Sequence, residues 1–299
     1  MKYNFSIIGL RKRFYYVSAV VILLGLGLLM FRGLNLGIDF LSGTIIEIDL
    51  NTAYTTAEVR EEVSPILERI QVRDIRDAGQ ATTMVQIRTT DVDDEGISDA
   101  LEALRAKWPE AKLVNTASVD AAFSSELVRN AILALILASA GMLIYIGIRF
   151  EFKFAVAAVA ALLHDVLIVL AFFALLRIEV NSEFVAAILT IVGYSINDTI
   201  VIFDRIRENL NRAKRQADFE GMVNTSINES LVRSINTSIT TLLAIGAVLI
   251  FGGVTLRPLA IALVVGILAG TYSSIFVASS IWVDLKESEL AKRLATKKA

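Results

Sequence analysis

The sequence predicts a polytopic α-helical membrane protein of six transmembrane helices, with a small α+β, ferredoxin-like extracytoplasmic domain between helices 1 and 2. Three observations predict it. Of 299 residues 55% are hydrophobic and the mean hydropathy is +0.61, more apolar surface than a water-soluble fold can hide. Six apolar runs are long enough to cross the hydrocarbon, which takes about 20 residues. The one long interval between runs alternates strand and helix patterns instead.

The spans are expected at Phe14–Phe31, Leu127–Ile148, Phe154–Leu176, Phe184–Phe203, Ile235–Phe251 and Pro258–Val283. Arg11-Lys12-Arg13 ahead of the first resembles the start of a signal peptide. Its apolar core is longer than a signal h-region and no small-x-small site follows in FRGLNLGIDF, so it reads as a retained signal-anchor. Basic residues then set the orientation. Lys2 and Arg11–Arg13, then Arg149 and Lys153, then Arg205, Arg207, Arg212, Lys214 and Arg215, then Lys286, Lys292, Arg293, Lys297 and Lys298 all fall on one side. The positive-inside rule makes that side cytoplasmic, with both termini inside. The predicted boundaries are residues 1–34 for the N-terminus and first helix, 35–125 for the external domain, 126–285 for a five-helix bundle and 286–299 for a cytoplasmic tail.

Within the external domain, Gly43–Leu50 alternates as a strand, and Thr55–Ile70 is amphipathic at helical spacing, with Pro65 expected to bend or shorten it. Val72–Ile75 and Thr82–Thr89 read as strands around a DAGQA turn, Ile97–Trp108 as a second helix and Lys112–Val119 as a last strand. That β-α-β-β-α-β order is the ferredoxin-like one. The acidic run Asp91, Asp93, Asp94, Glu95 reads as a solvated turn.

Chemistry is confined to the membrane. The fourth span carries VGYSINDTIVIFD, and an Asp at a helix centre costs about 2.5–3.5 kcal/mol on insertion scales. Such residues face a bundle interior, find a partner and mark an ion or substrate route. Asp198 is therefore the candidate ion-relay residue. Thr190, Gly193, Tyr194, Asn197, Asp198 and Val201 fall on neighbouring faces by i, i+3 and i+4 spacing. Ser195, Asn197 and Thr199 are supporting polar residues, although Asn197 alone would serve equally as a hydrogen bond between helices. Arg233 opens the polar run SINTSITT of the fifth span. By itself it would be a snorkelling anchor; with that run it becomes the candidate partner of Asp198. His164-Asp165 in the third span adds another intramembrane acid, read either as functional or as a structural hydrogen-bonded pair. Gly266 and Gly270 allow close helix approach in the sixth span. Asp204–Glu208 reads as an interfacial charge cluster. No cysteine, a single histidine and no Gly-rich phosphate loop argue against thiolate chemistry, a histidine metal site or an internal ATPase; no catalytic residue, metal or cofactor is expected.

Three stretches carry a resemblance. LGIDFLSGTIIEI (Leu36–Ile48) is similar to the GIDF-x-GGT element of the SecF family, VGYSINDTIVIFDRIREN (Val192–Asn209) to its fourth-span signature, and SLVRSINTSITTL with Phe251-Gly-Gly253 to its fifth span. Ser42 departs from the pattern where the first of two glycines stands, which puts the local turn in question. The family provides the smaller membrane subunit of the SecD–SecF complex in the resistance-nodulation-division superfamily. The resemblance implies proton-motive-force-driven assistance to late protein export across the bacterial cytoplasmic membrane. It implies SecD, the SecYEG translocon, SecA indirectly, the translocating preprotein and membrane lipids as partners, and no nucleic acid. By position it assigns ion relay to Asp198 and Arg233. Two other readings stay open on the residues: a small-molecule or lipid exporter of the same superfamily, and a passive assembly factor. An intramembrane protease is disfavoured, since no serine–histidine or paired-aspartate motif is evident.

Overall fold

A computed structural model describes residues 5–63, 72–77, 83–90, 92–212 and 218–298. Six helices in it are long and apolar enough to cross a membrane: Ile8–Arg32, Ala121–Arg149, Phe152–Leu176, Ser182–Arg212, Phe219–Phe251 and Arg257–Leu290. The protein is a polytopic helical membrane protein. Its elements in chain order are α1 (Arg11–Arg32), β1 (Gly43–Asp49), α2 (Thr56–Val63), β2 (Val72–Asp77), β3 (Met84–Thr89), α3 (Asp94–Lys107), β4 (Lys112–Val119), α4 (Ala121–Arg149), α5 (Phe152–Leu176), α6 (Ser182–Arg212), α7 (Phe219–Phe251), α8 (Arg257–Tyr272), a π-helical turn (Ser273–Ala278) and α9 (Ser279–Lys298). The chain divides into two compact units, residues 36–132 with 252–257, and the remainder.

In the larger unit the helices outrun the apolar segments. The fourth span is predicted to end at Phe203, yet α6 continues to Arg212; the fifth is predicted to begin at Ile235, yet α7 starts at Phe219. Hydropathy measures the length compatible with lipid, whereas backbone hydrogen bonding continues wherever packing and side-chain pairs support it. Arg205 supplies such pairs, to Glu208 at 2.5 Å and across to Glu229 on α7 at 2.6 Å. The expected tail likewise is helix: α9 runs to Lys298.

Small residues and rings let the bundle close. Gly25 of α1 lies so near α5 that a Cβ on it would stand 2.4 Å from the Ala171 Cβ. Phe154 stacks on Trp282 with centroids 4.5 Å apart and meets Phe203 at 4.7 Å. Ahead of α1, Asn224 and Asn228, one turn apart on α7, accept the Ile8 and Phe5 backbone N–H groups at 2.9 and 3.1 Å. Arg11 sits among Glu220, Asp284 and Glu287 at 2.6, 2.8 and 3.1 Å. The first helix is thus tied at one end to both α7 and α9.

The smaller unit holds a four-stranded antiparallel sheet in the order β2-β3-β1-β4. Alternation in β1 sends Ile46 and Ile48 inward to a core with Leu50, Val59, Val85, Ile87, Leu104 and Trp108. Helix α2 starts on a capping box: Glu58 N–H donates to Thr55 Oγ1 and Thr55 N–H to Glu58 Oε2, at 3.3 and 2.8 Å. The acidic run is not a mere solvated turn. Asp93 accepts the Gly96 N–H at 2.9 Å and caps α3, whose first turn holds Asp94 and Glu95. Side-chain capping and the helix dipole move the helix start three residues ahead of its first apolar position. The Pro65 bend, the 78–82 turn, Asp91, Lys2, Lys214 and Arg215 lie outside the described residues. Ser42 takes φ +57°, ψ 169°, a region that favours glycine, and its hydroxyl donates to Leu41 O at 2.6 Å. The following Gly43 is obligatory, because a Cβ there would stand 2.3 Å from Thr89 O.

Candidate functional site

Helix α6 is apolar on most sides, so its sequence does not reveal which polar residues face in. Steps of 100° per residue split the predicted stripe. Ser195, Asp198 and Thr199 are buried, Asp198 with 4% of its surface exposed. Thr190, Gly193 and Asn197 lie on the outer surface of the chain. Asp198 and Asn197 are neighbours in sequence and part company in space.

Asp198 faces α7. Ser238 and Arg233, both on α7, are the hydroxyl and the cation near its carboxyl group. Ser238 itself donates back to Ser234 O at 2.9 Å and shares a 2.6 Å hydrogen bond with Thr271 of α8. Arg233 is exposed on the chain surface and is not ion-paired to Asp198. Because α7 begins well before Ile235, Arg233 lies inside the helix and not at its mouth. It borders a cavity of about 230 Å³ together with Arg149, Val201 and Asp204. Val201 is one turn beyond Asp198, so the cavity reaches from the charged end of α6 toward the buried acid. Tyr194, also on α6, bonds to Thr241 of α7, which fixes the same two helices on their other half.

The second acid sits deeper. Asp165 has no exposed surface and His164 4%. Ser195 Oγ and Ser273 Oγ both donate to Asp165 Oδ2, at 2.6 and 2.8 Å. His164 Nδ1 is 2.9 Å from Asp165 Oδ1, and its Nε2 is 3.0 Å from Ser18 Oγ on α1. Ser18 donates to Tyr272 OH at 3.3 Å, and Tyr272 OH to Phe14 O at 3.2 Å. Thr199 and Ser274 share a 2.8 Å bond beside them. Ser18, Tyr272, Ser273 and Ser274 carry this network, and sequence reasoning gave none of them a role at the site. A lone hydroxyl in an apolar helix bonds its own backbone as readily as a neighbour, so only helix packing selects the partner. The one available signal was the density of hydroxyls from Thr271 to Ser274.

Close packing brings the two clusters together. A Cβ on Gly266 would meet Ile191 Cδ1 at 2.3 Å, and one on Gly270 would meet the Ser195 Cβ at 3.1 Å. The glycine pair expected to seat a neighbouring helix seats α6 itself. Among the described residues no group of His, Asp and Glu has the arrangement of a metal site.

Residues 100–288 match the family profile described as protein export membrane protein SecD/SecF, C-terminal, and residues 27–53 the SecD/SecF GG motif. The chain is 40% identical to the protein translocase subunit SecF of Alicyclobacillus acidocaldarius, over all of this chain and 98% of that one. Against SecF of Rhodothermus marinus it is 41% identical, covering 98% and 97%. It is 40% identical to the protein translocase subunit SecDF of Bacillus subtilis over 94% of its own length, but spans only 38% of that longer chain. The crystal structure of SecDF from Thermus thermophilus superposes with a TM-score of 0.85 at 34% identity, covering 96% of this chain and 39% of the other.

Proposed function

Because the chain belongs to the SecD/SecF family of protein export membrane proteins, we propose that it is the SecF-type accessory subunit of a Sec protein translocase, with Asp198 as its proton-carrying group. The observation that carries the coupling reading is the placement of Asp198: buried on α6, beside Ser238 of α7, and near an arginine that is not paired with it. A carboxylate in that position exchanges its proton when Arg233 moves, since an approaching cation favours the charged form and withdrawal leaves burial to disfavour it. One charge crossing 100 mV releases about 2.3 kcal/mol, several times RT and enough to bias a two-state motion.

The cavity beside Arg149, Val201, Asp204 and Arg233 is the route by which we connect Asp198 to water on one side. The positive-inside pattern makes that side the cytoplasm and places both termini there. Helix α7 presents Arg233, Asn236 and Thr240 outward, an expensive surface to leave in lipid, and SecD is the partner that covers it. Single-chain SecDF relatives support that pairing. The smaller unit, with its β-α-β-β-α-β order and β2-β3-β1-β4 sheet, supports a ferredoxin-like extracytoplasmic domain that contacts the translocating preprotein outside the inner membrane. SecYEG, and SecA acting before it, complete the machine. This role involves no covalent chemistry, cofactor or metal.

The test is Asp198→Asn in inverted membrane vesicles carrying the whole translocase. Export stimulated by a proton gradient is lost, whereas ATP-driven export and co-purification with SecD persist. Full gradient stimulation in the variant rules out the coupling role; loss of SecD binding converts the reading to a passive assembly factor.

A further inference from the structure

Four consecutive side chains of the last span reach four different helices. Thr271 bonds Ser238 of α7, Tyr272 bonds Phe14 O of α1, Ser273 bonds Asp165 of α5, and Ser274 bonds Thr199 of α6. The helix changes there from α to π geometry, starting at Ser273, a rare local winding that recurs at functional sites. Asp165 grips this turn and α6 together, through Ser273 and Ser195 on the same carboxylate oxygen, beside the direct bonds of Ser274 to Thr199 and to Ser195 O. Ser195 is one helical turn from Asp198. Ser273 is two residues from Thr271, whose hydroxyl shares a 2.6 Å hydrogen bond with Ser238, the serine beside Asp198.

We propose that Asp165 is a positioning residue for Asp198: its clasp on Ser195 and Ser273 sets the rotation of both helices that shape the Asp198 site. This rests on the coupling role argued for Asp198. The donor directions around His164 define what the clasp requires. Tyr272 OH donates to Phe14 O and Ser18 donates to Tyr272, so His164 Nε2 must carry the proton given to Ser18 Oγ. The 2.9 Å contact between His164 Nδ1 and Asp165 Oδ1 then holds one further proton, whichever atom carries it. An asparagine at 165 meets both demands: its amide N–H₂ donates to Nδ1, and its carbonyl accepts from Ser195 and Ser273. The clasp is therefore a matter of shape and hydrogen bonding, and charge at residue 165 is dispensable.

Two variants decide the matter. Asp165→Asn keeps gradient-stimulated export near that of the unaltered protein, whereas Asp165→Ala loses it while the protein still reaches the membrane and binds SecD. Labelling of Asp198 by dicyclohexylcarbodiimide, read by mass spectrometry of its peptide, changes several-fold in Asp165→Ala and not in Asp165→Asn. A purely architectural role moves the amount of protein but not the reactivity of Asp198. Equal labelling in Asp165→Ala and the unaltered protein overturns the proposal. So does loss of export in Asp165→Asn, which would make Asp165 a proton carrier in its own right. Should Asp198→Asn retain stimulated export, the coupling role fails instead, and the labelling comparison still reads whether Asp165 sets the site.

Discussion

Gly270 and Ser195 meet in close contact: a Cβ on the glycine would stand 3.1 Å from that of the serine whose hydroxyl bonds Asp165 at 2.6 Å. The last span and the acid-bearing helix are thus pressed together where their polar groups interlock. Hydrogen bonds in a membrane bundle are individually modest, averaging about 0.6 kcal/mol. Their directionality is what matters here, since each fixes a helix rotation.

Gly266 tests that packing apart from the polar network. A Cβ there would overlap Ile191 Cδ1 at 2.3 Å and Cγ1 at 2.4 Å. Gly266→Val forces α8 and α6 apart at a cost of about 1–3 kcal/mol, the usual range for overpacking. A fall in the thermal unfolding midpoint of the purified protein reads it, and Ile191→Ala in the same chain recovers part of the loss.

Removing one arm of the Asp165 clasp is a milder lesion. Ser195→Ala leaves Asp165 with Ser273 and His164 as hydrogen-bond partners, so the destabilisation is about 0.5–2 kcal/mol. Denaturant unfolding in detergent measures it. Ser195→Ala combined with Ser273→Ala is worse than the sum of the two, because a buried carboxylate oxygen then loses both hydroxyls.

Arg233 lies near Asp198 without pairing with it, and in the proposed role it acts by charge. Arg233→Gln lowers gradient-stimulated export about tenfold or more, equivalent to about 1.4 kcal/mol, with SecD binding intact. Arg233→Lys retains an intermediate rate, since the charge survives while the reach and fork of the guanidinium do not. Vesicle export assays with and without the gradient separate these outcomes.

Glu58 gives a pH-dependent signal remote from the membrane. The Thr55 backbone N–H, and its hydroxyl, hold the carboxyl below its ordinary pKa. A depressed folded-state value means the cap stabilises fully above the unfolded-state value and is lost as pH falls through the folded one. Hydrogen exchange of α2 amides, corrected for intrinsic pH effects, accelerates across that acid window in the unaltered protein. Glu58→Gln flattens the dependence.

The sequence made some of this legible with little ambiguity. Apolar runs located six spans because hydrocarbon thickness fixes their length. Asp198 announced itself because an acid inside such a run needs a reason, and alternation placed Ile46 and Ile48 in the small core. Other features were hidden. Asp93 reads as part of a turn in the sequence because the same residue types serve turns and helix caps. Asn197 groups with Asp198 in the polar stripe, yet one is exposed and the other buried, 100° apart around α6. Ser18, Tyr272 and Ser273 drew no role because nothing in a single apolar helix distinguishes a hydroxyl that bonds its own backbone from one that reaches across.

What the sequence determined by itself was the chain's solvent: composition and run length demand a bilayer, and adjacency to apolar residues singles out the costly acids. Tertiary structure alone decided which of those acids share a network. Helix rotation about its own axis is unspecified when every face is apolar, and it becomes fixed only when glycines, serines and an aspartate from separate spans come within bonding distance.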